Sequence, residues 1–413
     1  MTRTCFLLLL CFAGLGAFGQ SMSTPYSVYA IGDIDHRLYN FNAGMGYTGI
    51  GMKSSLFTSG NNPASITGME RSFFMFDVHA AGRTVVYRGN NIDASNNRNR
   101  DFTIKRLALS TKINSFWGSG IGFRQFSSVN YSFQRARAVE GSNDRYTLSY
   151  KGDGGLNEYY WNNGFSIGKH LSAGITASFI AGPINQTEVV TGFSGDDIES
   201  VRRDYYANGR LEYGLIYTRA LGKKWEGSLG GRFSKETKMN YERTLSVTSG
   251  NNAIAEEEFL SYHRFRLPAA FGLGLSMVNK KGTTLAADFS HDDWNSLDVK
   301  GAGWRLVNSN RYSAGVEFSS AVNDRRKDLV RKALQFGAFL NQSYLRVNNR
   351  QINEWGLTAG LSRTYRKGLM LGASLEGGMR GTAAAGLIRE SYFQLRFSFS
   401  YRDFLMSKGR KYD

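Results

Sequence analysis

Residues 290–294, SHDDW, set His291 beside Asp292 and Asp293, and an imidazole with two carboxylates is a donor set for a divalent ion. On an extended chain successive side chains point to opposite faces, so His291 and Asp293 converge while Asp292 turns away. No second imidazole stands close in the sequence, and no metal site is expected. Asp77 and His79 likewise share one face of a run, a spacing that suits a carboxylate–imidazole dyad for acid–base work. Hydrolysis would also need a nucleophile, and the chain has no G-x-S-x-G elbow. The string FGLGLS, Phe271 to Ser276, alternates glycine with apolar residues, which is the pattern of close approach within a strand rather than of a phosphate cradle. The basic run NDRRKDLVRK places Arg325, Arg326 and Lys327 in one turn, where they serve either as a solvated face or as a docking point for a partner. No enzyme activity and no cofactor are expected.

The elements that must carry these residues follow a two-residue beat. In FQLRFSFSYRDF, Phe393, Leu395, Phe397, Phe399 and Tyr401 alternate with Gln394, Arg396, Ser398, Ser400 and Arg402. That is the period of a β-strand. The same alternation runs through Leu171–Phe179, Leu211–Tyr217, Leu285–Phe289 and Tyr312–Phe318. Short glycine- and lysine-bearing turns such as IGKHLSAG, LGKKWEGS, MVNKKGTT and RTYRKGLM join neighbouring runs. Between them lie long polar stretches, 88–101, 138–155, 183–209 and 243–262. Short connections at one end and long ones at the other describe a transmembrane antiparallel β-barrel, whose polar face lines a lumen and whose apolar face meets lipid. About fourteen strands are expected across 72–404, all-β, with FQLRFSFSYRDF closing against the first strand near Phe73. Trp294 is then expected in an aromatic girdle at the membrane interface.

Composition agrees. The mean hydropathy is −0.35, aromatics make up 14 %, and 48 glycines stand against 4 prolines. Residues 1–19 read as a secretory signal peptide, with Arg3, an apolar run and a small-residue end at Ala17 to Gly19. Both cysteines, Cys5 and Cys11, fall inside it, so the exported chain is expected to be free of thiols. The formal charge is +17, or +16 once Arg3 is lost. For an exported barrel the anionic partners at hand are outer-membrane lipid and lipopolysaccharide, and no nucleic acid is expected. Residues 20–71 lack the beat and are expected to fold into the barrel mouth as a lumenal plug or hatch; residues 405–413 form a short basic periplasmic tail.

YSVYAIGDI, GMGYTGIGM and NNPASI, set directly before the first strand, resemble the FadL-like outer-membrane transport proteins in the form common among Bacteroidota. Gly44, Met45 and Gly46 match the family's glycine-rich segment, Tyr47 stands where a second glycine is usual, and Asn62, Pro63 and Ala64 match its Asn-Pro-Ala motif. The resemblance implies a barrel in the cell outer membrane that admits small hydrophobic or amphipathic molecules by hatch-gated diffusion. Gly44–Gly46 and Asn62–Ala64 would form the gate, and Phe73 and Met75 would line the ligand path. The competing reading is a non-catalytic barrel subunit of a larger outer-membrane secretion or barrel-assembly complex, with other outer-membrane proteins as partners.

Overall fold

A computed structural model describes residues 24–404, apart from 72, 90–91, 93–96, 139–140, 142–144, 192–196, 251, 324–328 and 366–367. The signal peptide, the basic tail and the turn carrying Arg325, Arg326 and Lys327 therefore lie outside the described residues. Fourteen antiparallel strands form the wall. In chain order they are β1 (Phe73–Arg88), β2 (Arg98–Lys112), β3 (Trp117–Gln125, continuing as Ser127–Ala138) and β4 (Arg145–Gly154 and Asn157–Ile167). Then come β5 (Leu171–Thr191), β6 (Ile198–Leu221), β7 (Trp225–Ser234 and Thr237–Ser249), β8 (Ala270–Asn279, preceded by Asn252–Leu267) and β9 (Thr283–Asp292). The ring finishes with β10 (Ser309–Asn323), β11 (Leu329–Val347), β12 (Arg350–Thr364), β13 (Leu369–Arg380) and β14 (Arg389–Phe404). It closes where β14 pairs with β1 along its whole length, from Phe73↔Phe404 to Arg88↔Arg389.

The two faces of the wall decide its solvent. Along β14, Phe393, Phe397 and Phe399 are exposed, whereas Gln394, Arg396 and Ser400 are at most 2 % exposed. A sheet with phenylalanine outside and arginine inside is inverted relative to a water-soluble sandwich, and lipid is the environment that explains it. Three of the stretches expected as loops are largely strand. Residues 145–154, 184–191 with 198–207, and 243–249 with 252–262 extend the wall beyond the short-loop pattern. The beat is present there, in Tyr146, Leu148 and Tyr150 and, running on from Met239 and Tyr241, in Leu245 and Val247. Ile184, Tyr206 and Met239 are buried in the apolar cluster of that end, but the polar and charged residues between the apolar ones make these stretches read as loops.

One interruption breaks the ring. The β2–β3 ladder stops at Arg106↔Arg124, beside a bulge in the β1–β2 ladder between His79 and Ala80. Above it β3 turns away from β2, and Ser127 and Ser128 pair instead with a two-residue strand, Asp33–Ile34, from the N-terminal segment. That segment begins at the long-connection end of the barrel, where the Thr24 amide donates to the Asn130 carbonyl (3.1 Å) and the Tyr26 hydroxyl donates to the Ile388 carbonyl (2.6 Å). It then runs down the interior and reaches β1 at the short-turn end.

Candidate functional site

The chemistry of this molecule is concentrated where residues 33–69 meet the inward faces of the wall. Arg37 carries the largest share. Its Nε and Nη2 donate to Glu376 of β13 at 3.1 and 2.9 Å, Nη2 also pairs with Glu354 of β12, and the same nitrogen donates to the Tyr392 hydroxyl of β14 at 3.0 Å. Glu376, fully buried, also takes Arg396 and the Tyr47 hydroxyl. Around this centre Arg380 pairs with Asp33 (2.7 Å), Lys105 with Asp35 (3.4 Å) and Arg83 with Glu390 (3.4 Å). Burial alone would push the Asp35 carboxyl up, but the Lys105 ammonium, the Arg37 guanidinium and the Tyr39 hydroxyl hold it below its ordinary range. His36 is held below its ordinary range by burial, outweighing Asp292 at 3.8 Å.

Backbone contacts fix the segment further down. Ala43–Met45 form a 3-10 turn with Gly44, Met45 and Gly46 buried against the wall. The Gly46 amide donates to the Thr358 hydroxyl (2.9 Å), which donates in turn to the Gly44 carbonyl (2.8 Å). Tyr47, at the position where glycine is usual, has φ +68°, a left-handed conformation that costs a side chain about 1–2 kcal/mol. Its hydroxyl bond to Glu376 and the Arg396 guanidinium 4.5 Å over its ring offset that cost. Asn62 caps the next 3-10 turn, Pro63–Gly68, by accepting the Ala64 amide (3.0 Å), while its Nδ2 donates to the carbonyls of Ile50, Leu215 and Gly231 at 2.9–3.0 Å. Asn62-Pro63-Ala64 is thus stapled to β6 and β7. The Asp288 carboxylate of β9 accepts the Gly49 and Ile50 amides at 2.6 and 3.0 Å.

Apolar clusters cover both ends of this braced zone. At the short-turn end Phe41, Leu56, Phe57, Ile66, Met69, Met75 and Met370 pack together. At the other end Tyr26, Ile31, Val129, Trp294, Tyr344 and Leu387 belong to a larger cluster. Between them remains a cavity of about 120 Å³ lined by charged groups, among them Arg37, Arg124, Asp288 and Arg311, and by apolar ones, among them Leu38 and Leu267. Such a space suits a few ordered waters. An apolar solute in it would leave those charges without solvent.

The residues singled out from the sequence distribute as follows. Met75 faces inward within the short-turn cluster, and Phe73 shares its face, with the Arg402 guanidinium 5.2 Å over its ring. Asp77 and His79 also face inward, but separately: Asp77 accepts the Thr58 hydroxyl (2.9 Å), and His79 Nδ1 lies 2.8 Å from the Ser398 hydroxyl. His291 lies 2.7 Å from the Asn310 side chain and packs on Phe271, while Asp292 faces His36. Trp294 corrects an expectation. It is buried at 2 % exposure against Tyr344 and Phe265 inside the long-connection end, not on the lipid face. In the FGLGLS string, a side chain at Gly274 would press first on the Asp288 carboxylate of β9 and come within 2.7 Å of the Gly51 amide, so the close neighbours there are the adjacent strand and the N-terminal segment. Sequence reading missed Arg37, Glu354, Glu376, Glu390 and Arg396. The available signal was a set of charges on the lumenal beat of β12 to β14.

The architecture is that of FadL-type barrels. A FadL homologue of Pseudomonas aeruginosa superposes with a TM-score of 0.60 at 13 % identity, covering 91 % of this chain and 100 % of that one. The toluene transporter TodX of Pseudomonas putida gives 0.58 at 13 % over 90 % and 100 %, and the toluene transporter TbuX of Ralstonia pickettii gives 0.55 at 14 % over 88 % and 97 %. These likenesses establish the FadL-like outer-membrane fold. No curated protein sequence matches the chain. The BamG family model matches residues 1–413, its whole length, and the chain belongs to the BamG family.

Proposed function

We propose that this chain is a non-catalytic, lumen-sealed barrel subunit of a larger outer-membrane assembly of the secretion or barrel-assembly kind. The observation that supports this most is the braced interior. A solute crossing the lumen would have to part Arg37 from Glu354 and Glu376, and removing one member of such a buried pair costs about 3–5 kcal/mol. The wall then serves as a rigid scaffold whose rims and lipid face carry contacts, with lipid, lipopolysaccharide and other outer-membrane proteins as surroundings. Extraction in mild detergent, sizing and mass spectrometry test it. Stoichiometric partner proteins are expected; a lone chain plus its micelle, carrying a bound hydrophobic molecule, would overturn it.

A second reading is hatch-gated admission of small hydrophobic or amphipathic molecules, and the wall interruption above Arg106 and Arg124 favours it. In that reading the Asn62-Pro63-Ala64 motif is a pivot, Gly44–Gly46 move with it, and Phe73 and Met75 line the path. Replacing Pro63 should then slow uptake of a hydrophobic tracer while the barrel stays folded; unchanged uptake counts against it.

A further inference from the structure

Three successive hairpin turns at the short-turn end carry Lys169 and His170, Lys223 and Lys224, and Lys280 and Lys281, all exposed. They join β4 to β5, β6 to β7 and β8 to β9, so they follow one another around the rim. Backbone bonds tie them together. The Lys280 amide donates to the Lys224 carbonyl (3.0 Å), and the Thr218 amide donates to the His170 carbonyl (2.8 Å). Arg219, exposed on β6, adds to the same sector. The carboxylate nearest these turns in sequence is Glu226, which acts electrostatically on Lys53 of the N-terminal segment. None of the five lysines pairs with a carboxylate among the described residues. The sector is not a uniform collar, because the turn between β2 and β3, Ile113–Phe116, carries no charge.

The apolar belt ends just above them. Ile167, Tyr217, Leu221 and Leu275 are exposed on the lipid face, each two to six residues from a lysine of the rim. At about 3.3 Å per residue the nearest of these spacings, Ile167 to Lys169 and Leu221 to Lys223, puts the ammonium groups within about 10 Å of the hydrocarbon edge, at head-group level. Turns of two or three residues do not project further, so the rim lies flush with a membrane surface rather than reaching past it.

We propose that this lysine sector binds the phosphodiester groups of anionic phospholipids in the periplasmic leaflet, and so orients the barrel around its axis relative to those lipids. Each ammonium offers three donors to phosphate oxygens, and its alkyl stem can lie along the belt. An acidic periplasmic protein is the other occupant of matching charge; the flush turns and the adjoining belt favour lipid. The inference does not depend on whether the barrel works alone or within an assembly.

The test uses the full-length protein in nanodiscs of phosphatidylcholine with phosphatidylglycerol, reading retained lipids by native mass spectrometry. Wild-type protein is expected to retain phosphatidylglycerol over phosphatidylcholine by at least about fivefold, the effect of one cation at an anionic surface. The preference should fade towards about 1 M salt, where screening acts over about 3 Å. Replacing Lys169, Lys223, Lys224, Lys280 and Lys281 by glutamine should bring the two lipids to parity, with heat-modifiable migration showing that the barrel is intact. Arg98→Gln with Arg100→Gln, at the opposite end, should change nothing. A wild-type protein without preference, or a five-fold variant that keeps it, overturns the proposal. So does a variant that keeps its lipid preference but loses a co-purifying periplasmic protein, an outcome that would assign the sector to that protein.

Discussion

Arg37 links the N-terminal segment to three wall strands through Glu354, Glu376 and Tyr392. Its value to the fold lies less in attraction than in what its loss would leave. Two buried carboxylates, Glu354 and Glu376, would be left with less compensation. Arg37→Met is therefore expected to destabilise the segment by about 3–5 kcal/mol. Raised proteolysis between residues 24 and 69, with heat-modifiable migration retained, is the measurement; wild-type protease resistance would count against it. Asp35 gives this bracing a pH dependence. Its folded pKa lies below the unfolded value of about 3.9. The contribution is therefore present above that value and is lost as pH falls through the folded one. The segment should become protease-sensitive only below about pH 4, and Asp35→Asn should remove that part of the acid transition while weakening the hold of Lys105. None of these partners was legible in the sequence. Arg37 and Glu376 are 339 positions apart, and a charge on the lumenal beat looks the same whether it meets water or a counter-charge.

At the scale of elements, the wall was legible because lipid on one side and a polar interior on the other impose the alternation. Where 145–154 and 237–249 rise clear of the belt, the beat persists in Tyr146, Leu148 and Tyr150 and in Met239, Tyr241, Leu245 and Val247, but the outward residues between them are polar rather than apolar, so the mark is faint. The contact between segment and wall depends on small residues. A side chain at Gly214 would meet the Asn62 carboxamide oxygen at 2.1 Å, one at Gly230 the Ile50 carbonyl at 2.0 Å, and one at Gly337 the Gly46 amide at 2.3 Å. The motif segments Gly44–Gly46 and Asn62–Ala64 were legible as unusual, but the wall glycines that receive them were not. Gly337→Ala should push the Gly44–Gly46 turn off β11, at a cost of about 1–3 kcal/mol for overpacking. Gly377→Ala, with nothing within 4 Å of the new atom, should be silent. Comparing protease release of residues 24–69 in the two variants checks this, and equal behaviour would rule out close packing as the constraint.

For the whole molecule, the question is whether the interior moves in use. An ion-paired layer lies between apolar clusters at both ends, and its breakage would expose charge to a space with little room for water. That arrangement holds one state well, as a scaffold needs, and resists the partial displacements that a hatch needs. A disulfide can separate the two. Ile34 and Ser127 are register partners on antiparallel strands, where Cα atoms stand about 4.5–5.5 Å apart, within the range a disulfide spans. The sequence's only cysteines, Cys5 and Cys11, precede the described residues, so an Ile34→Cys/Ser127→Cys pair should form without competition. A sealed subunit tolerates this lock. The oxidised variant should retain its partners on native purification and support growth like the reduced one, because nothing in its role requires the segment to leave β3. A barrel gated by that segment loses passage when oxidised and regains it on reduction. Redox-reversible loss of uptake would therefore move the function to transport, whereas indifference to the cross-link leaves the outer faces and rims as the working surfaces.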